Sequence, residues 1–177
     1  MSETPTVYVT RKLPEVGLDR LRERYEVVVW EETLPPSKSH IREQLSALDA
    51  EGLVCLLSDD VDADVLDASP DLSVVSTFSV GYDHIDVAAD AEREVAVGHT
   101  PGVLTKTTAD LAWALLLSCA RRTVEGHDYV EADEWEAWGP TLLTGADVHD
   151  ATLGIVGLGK IGTAVARRGA GFGMDVL

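Results

Sequence analysis

Short β-type runs alternate along the chain with stretches of helical spacing. Thr6-Val-Tyr-Val-Thr10 reads as a first strand. Glu15 to Tyr25 places Val16, Leu18, Leu21 and Tyr25 among charges, which suits an amphipathic helix. Glu26 to Trp30 is a second strand, and after Pro35-Pro36 a helix is expected from Ser37 to about Leu48. Gly52 to Leu57 is a continuous apolar run, as in a strand covered on both faces. A short helix over Val61–Ala68, a strand at Val74–Thr77, a helix at Val87–Glu94 and a strand at Val95–Gly98 follow. This βαβα rhythm predicts a parallel sheet with helices on both faces.

Thr100-Pro101-Gly102 punctuates the chain and marks an expected boundary between residues 1–100 and 101–177. Beyond it, Thr107-Thr-Ala-Asp110 has the look of a helix-capping signal. The run Leu111 to Ala120 is apolar on nearly every face, so its helix is expected to be buried by a second domain or by a partner subunit. Cys55 and Cys119 both sit in apolar runs and are expected to be buried thiols.

Near the C-terminal end the pattern changes to a β-type run, Thr152 to Val156, then Gly157-x-Gly159-x-x-Gly162, then a helical run over Thr163–Ala170. Met174 to Leu177 resumes strand character. In a strand–turn–helix unit of this kind each glycine has a task. Gly157 permits the tight turn, Gly159 lets backbone approach a pyrophosphate, and Gly162 lets helix and strand pack closely. The helix N-terminus adds unpaired N–H groups and a positive dipole end. A dinucleotide site is therefore expected here. The acidic residue that grips an adenosine ribose is expected about 20 residues along such a unit, beyond Leu177. The chain thus reads as the front part of a larger enzyme.

Composition narrows the partners. Against 14 Lys+Arg stand 31 Asp+Glu, a formal net charge of −17. Such a surface repels nucleic acid and anionic membranes. It fits a salt-rich cytoplasm, because the Debye length falls to about 3 Å at 1 M salt; an acidic mesophilic protein is the alternative. The first residues show no signal-peptide pattern, and Leu111–Ala120 is too short to span a bilayer, so a cytoplasmic protein is expected. Neither cysteine forms a CxxC and the five histidines lack metal-ligand spacing, so no metal site is expected.

Several separated motifs resemble the D-isomer-specific 2-hydroxyacid dehydrogenases, most of all their glyoxylate/hydroxypyruvate reductase branch. They are Val9-Thr-Arg-Lys-Leu-Pro14, Cys55-Leu-Leu-Ser-Asp59 followed by Val61-Asp62, Ser76 to Asp86, and Thr100 to Ala112, with the glycine turn last. The resemblance implies a flavodoxin-like substrate domain followed by the start of a Rossmann dinucleotide-binding domain. It implies that main-chain N–H groups of Val80 and Gly81 bind a carboxylate and that Leu57 lines the same pocket, although a core leucine is an equally good reading of Leu57. It places Leu104 and Thr108 near the cofactor, with Gly157, Leu158, Gly159, Lys160, Ile161 and Gly162 around the pyrophosphate. Helix capping explains Thr108 equally well, and a turn explains Gly81. Lys160 stands where the family often has arginine, keeping charge without the planar fork. Trp135 and Trp138 are expected to pack in the core or against a subunit.

The resemblance further implies reduction of a small 2-oxo acid, glyoxylate or hydroxypyruvate, to the D-2-hydroxy acid by NADH or NADPH; a homodimer joined through the Thr108–Arg122 helix is expected from that helix's all-round apolarity. The family's histidine acid, its arginine and its glutamate match no residue here, so no catalytic residue is named and the chain alone is expected to be inactive. His84 reads as a turn or surface residue. Phosphoglycerate- or formate-dehydrogenase-like enzymes remain alternatives, although no extra basic residues surround Val80. A non-enzymatic dinucleotide-binding co-repressor is a further one.

Overall fold

The computed structural model describes residues 4–177. They divide into two compact units, the first ending at Pro101 and the second beginning at Gly102.

The first unit contains β1 (Thr6–Val9), α1 (Glu15–Arg22), β2 (Glu26–Val29), α2 (Lys38–Ala47), β3 (Gly52–Cys55), α3 (Ala63–Leu66), β4 (Val74–Thr77), α4 (Val87–Glu92) and β5 (Ala96–Gly98). The strands form one parallel sheet in the order β2-β1-β3-β4-β5. This is the flavodoxin-like doubly wound order, in which the chain reverses direction of growth between β1 and β3.

Period-two alternation sorts the side chains onto two faces. Tyr8, Leu53, Cys55 and Val75 point to one side, where they pack with Ile41 and Leu45 of α2, Val65 and Leu66 of α3, and Ala89 of α4. Val7 and Val9 point to the other, against Leu18 of α1. On that side an open apolar hollow of about 270 Å³ borders Leu21, Tyr25, Val54 and Val74.

Side-chain caps start three of the helices. Ser37 accepts the His40 N–H at 3.2 Å, Asp62 accepts that of Val65 at 3.3 Å, and Asp86 accepts that of Ala89 at 3.1 Å. Each removes an orphan donor at a helix start.

The second unit contains α5 (Thr105–Ala120), α6 (Thr123–Glu131), β6 (Thr152–Leu153), α7 (Lys160–Gly169), a 3₁₀ turn at Ala170–Phe172, and β7 (Asp175–Val176). β6 and β7 pair in parallel, with Thr152 opposite Asp175. The β6–α7–β7 succession is a βαβ unit with parallel strands. Trp113 ties α5 to α7: its ring stacks on Phe172 at 4.6 Å and 7°, and its Nε1 donates to the Val165 carbonyl at 3.1 Å.

Several details differ from the sequence reading. The helix following the glycine turn begins at Lys160 rather than Thr163, because the turn is closed by the helix itself. α5 begins at Thr105 and its cap position, Leu104, supplies no side-chain bond. Asp110 therefore does not cap it; its carboxylate pairs with Arg168 of α7. Thr108 lies inside the helix, its N–H bonded to the Leu104 carbonyl at 2.8 Å, so capping does not account for it. Cys119 is exposed, on the same helix as the exposed Leu111 and Leu115, while Cys55 is buried as expected. Trp135 and Trp138 are exposed rather than packed in the core. Segment 123–131 forms an unforeseen helix, α6.

Candidate substrate and cofactor sites

In a doubly wound sheet, ligands bind beyond the C-terminal ends of the strands at the point of reversal. Here that point lies at the ends of β1 and β3, with β4 next to β3. Three segments meet there: Thr10-Arg11 after β1, Leu56 to Asp59 after β3, and Phe78 to Gly81 after β4.

Asp59 anchors the first two segments. Its side chain is fully covered, and Oδ2 accepts from Thr10 Oγ1 at 2.5 Å and from the Leu56 N–H at 2.8 Å. Arg11 lies 3.9 Å from Oδ1 and donates to the Thr10 carbonyl at 2.7 Å and to Ser58 Oγ at 3.1 Å. The pinned turn leaves Leu57 outside, 72% exposed. Burial, reinforced by the Asp59 charge, pushes the Tyr8 hydroxyl up to about 12. Burial likewise pushes the Cys55 thiol up to about 12, which removes it as a nucleophile at neutral pH.

The third segment is a turn whose carbonyls face inward. The Ser79 carbonyl accepts from Thr100 N–H and Thr100 Oγ1, both at 2.9 Å. The Gly81 carbonyl accepts from Ser79 Oγ at 2.6 Å, and the Val80 carbonyl accepts from His99 Nδ1 at 2.9 Å. Among the described residues, the N–H groups of Val80 and Gly81 meet no protein acceptor. Successive free amides in a turn form an anion-binding concavity. His84 reaches Thr77 Oγ1 with Nε2 at 3.0 Å, and its carbonyl accepts the Val61 N–H at 2.9 Å. It fastens the loop, in keeping with a turn histidine.

In the second unit the glycine turn has the geometry its spacing predicts. Gly157 has φ +96°, a conformation that side chains rarely adopt. A Cβ on Gly162 would run into the Gly157 carbonyl, whereas one on Gly159 would meet only open space. Gly159 is the N-cap of α7 and has no side-chain cap. The N–H groups of Lys160, Ile161 and Gly162 meet no protein acceptor among the described residues, and they lie at the positive end of the helix dipole. These features fit a pyrophosphate.

The turn opens into a groove of about 910 Å³ within this unit, lined by Gly102, Val103, Thr105 and Lys106 on one side and by Leu158, Gly159, Lys160, Thr163 and Arg167 on the other. Lys106, Lys160 and Arg167 bring positive charge to it in a chain of formal charge −17. The glycine spacing locates this groove, but Lys106 and Arg167 escape it, since two exposed cations far apart in sequence carry no spacing signal. Leu104 and Thr108 are exposed on α5 and lie outside the groove's lining.

A flavodoxin-like unit followed by a βαβ unit with a glycine turn is an architecture used by two-domain dinucleotide-binding proteins. The match to a family model makes this specific: residues 7–172 match the catalytic domain of the D-isomer specific 2-hydroxyacid dehydrogenases, and the chain belongs to that family. It is 51% identical over 174 residues to a protein of Korarchaeum cryptofilum named glyoxylate reductase, covering 98% of this chain and 52% of that protein. A glyoxylate reductase of Thermococcus onnurineus is 46% identical over 177 residues, with the same coverage. Among solved structures, a protein of Thermus thermophilus superposes with a TM-score of 0.90 at 48% identity, covering 97% of this chain and 54% of that one. An NADPH-dependent glyoxylate/hydroxypyruvate reductase of Sinorhizobium meliloti, solved with NADP and malonate, gives 0.77 at 30% identity, covering 98% and 52%. The chain spans about half the length of the curated relatives it matches. No helix among the described residues is long and apolar enough to cross a membrane.

Proposed function

We propose that this chain supplies the substrate-anchoring turn and the first part of the NAD(P)-binding site of a cytoplasmic oxidoreductase. The enzyme reduces a small 2-oxo acid, glyoxylate or hydroxypyruvate, to the D-2-hydroxy acid. Residues 1–100 are the N-terminal part of the substrate domain, and residues 101–177 begin the Rossmann domain. The observation that carries the reading is the glycine turn, with its positive-φ Gly157, its contact-limited Gly162 and its open Gly159. The family and the names of the relatives point to the same chemistry.

Each group has a physical task. The Val80 and Gly81 amides hold the substrate carboxylate, and exposed Leu57 offers an apolar wall beside them. Amides at the start of α7 hold the cofactor pyrophosphate, with Lys160 adding charge. The family resemblance assigns Leu104 and Thr108 to the surroundings of the nicotinamide and phosphates, although neither lines the groove beside the glycine turn. When bound, the reduced nicotinamide supplies hydride to the carbonyl carbon. The alkoxide that develops needs a proton and an electrostatic partner. No residue of this chain is assigned either part, so the chain alone does not turn over.

The outward side of α5 is assigned to a second copy. Leu111 and Leu115 are 59% and 57% exposed on a helix with few charges. Contiguous apolar surface of this kind marks an interface.

The test is oxidation of NADH and NADPH by the full-length protein with glyoxylate or hydroxypyruvate. Substrate-dependent loss of the reduced cofactor, absent for the 177-residue chain, is the expected result. No turnover by the full-length protein with either acid and either cofactor overturns the reading.

A further inference from the structure

We propose that His99 is the positioning residue that aims the Gly81 amide at the substrate carboxylate, with Ser79 bracing the same turn through the Gly81 carbonyl. The inference rests on the reading of that turn as the anion site and concerns what holds it in a binding-competent form.

An anion-binding turn needs its amides out and its carbonyls in. A carbonyl rotated outward would present partial negative charge to the ligand, and a peptide plane cannot turn its N–H without turning the neighbouring C=O. The three consecutive carbonyls of the turn are each held by a different donor. Thr100 holds Ser79 O, His99 Nδ1 holds Val80 O at 2.9 Å, and Ser79 Oγ holds Gly81 O at 2.6 Å. The Val80 carbonyl shares its peptide plane with the Gly81 amide, so the His99 bond directly fixes one of the two anion donors; the Ser79 carbonyl shares its plane with the Val80 amide, so Thr100 fixes the other, and Ser79 Oγ braces the far end of the turn. A carbonyl only accepts, so His99 presents Nδ1–H to it.

Ser79 is connected further back. Its Oγ also lies 2.7 Å from Thr77 Oγ1, which in turn lies 3.0 Å from His84 Nε2. Ser79 and Thr77 are buried, so this hydroxyl chain is shielded from water and is correspondingly firm. His99 is held from its other side by Tyr82, whose ring meets it edge-on at 5.1 Å. His99 follows β5 directly and is exposed, so replacing it leaves the buried core untouched. Two independent clamps therefore act on one turn: a buried hydroxyl relay through Ser79 and an imidazole donor from the end of β5.

The test is an NMR titration of the ¹⁵N-labelled full-length protein with oxalate, a non-reacting analogue of a 2-oxo acid, in the wild type and in His99→Ala, His99→Asn and Ser79→Ala. Oxalate is expected to shift the Val80 and Gly81 amides saturably in the wild type. His99→Ala is expected to weaken binding about 5- to 10-fold, the effect of losing one ordinary hydrogen bond. His99→Asn, whose side-chain amide also donates, is expected to recover most of the loss, a rescue that general loosening of the loop would not give. Ser79→Ala is expected to weaken binding while the amides of β4 stay in place. If oxalate moves those amides in the wild type but His99→Ala binds as tightly, the positioning proposal fails and the anion-site reading stands. If oxalate leaves Val80 and Gly81 unmoved in the wild type, both fail.

Discussion

The carbonyl of Gly157 occupies the space that a β-carbon on Gly162 would need. The turn is therefore closed by backbone against backbone, and α7 starts as soon as it has closed. Gly162→Ala forces this contact apart, at a cost of roughly 1–3 kcal/mol for overpacking. Gly157→Ala instead meets open space but must sit at φ +96°, a strain of about 1–2 kcal/mol. Both variants are expected to lose thermal stability and dinucleotide binding. Gly159→Ala, with nothing within 4 Å of its β-carbon, is expected to keep stability and lose binding. Melting curves alongside cofactor titrations separate these effects, and a Gly159→Ala chain that binds as well as the wild type contradicts the assignment.

Lys160 contributes through charge. It is exposed, so its contact with a pyrophosphate is expected to contribute about 0.2–1 kcal/mol. Lys160→Ala should weaken NADPH binding about 2- to 5-fold at low salt, and the difference should shrink near 1 M salt, where the Debye length is about 3 Å. Calorimetry at two salt concentrations reads this. A difference that grows with salt would point to a packing role.

Asp90 predicts the pH dependence of stability. It is buried on α4 with neither carboxylate oxygen bonded, and burial, with the Asp86 charge adding, raises its carboxyl from 3.8 to about 6. The folded state therefore holds this proton more tightly than the unfolded chain does. Its contribution to stability is full below the unfolded value and is lost as pH rises through the window from about 4 to about 6. Asp90→Asn should flatten the fall in melting temperature across that window. An unchanged pH profile in the variant would show that another group sets it.

α5 tests the assembly. Leu111→Glu and Leu115→Glu place charge on an exposed apolar face while leaving buried Ala109 and Trp113 alone. The full-length protein is expected to sediment as a dimer and the double variant as a monomer. A wild-type monomer at micromolar concentration removes α5 as an interface.

The first unit was legible because each strand carries its own period. Val7 and Val9 fall on one face and Tyr8 on the other, and the βαβα succession then leaves few topologies open. The glycine turn was legible for a different reason, since only glycine meets two of its three demands. What escaped the sequence has physical causes. α6 buries no residue and carries Gly126 at its centre, so it has neither a hydrophobic stripe nor strong propensity. Asp110 looked like a capping residue because local spacing carries no trace of Arg168, its partner 58 residues away. The clamps on the Val80–Gly81 turn were invisible too, because His99 and Thr100 reach it only after β5 pairs with β4.

The central claim is that main-chain amides at the start of α7 grip a diphosphate. NADPH titrated into the ¹⁵N-labelled full-length protein tests it most directly. Saturable shifts concentrated at Gly159, Lys160, Ile161 and Gly162, and abolished in Gly159→Ala, are the expected result. Shifts that bypass these four amides, or none at millimolar cofactor, would contradict it.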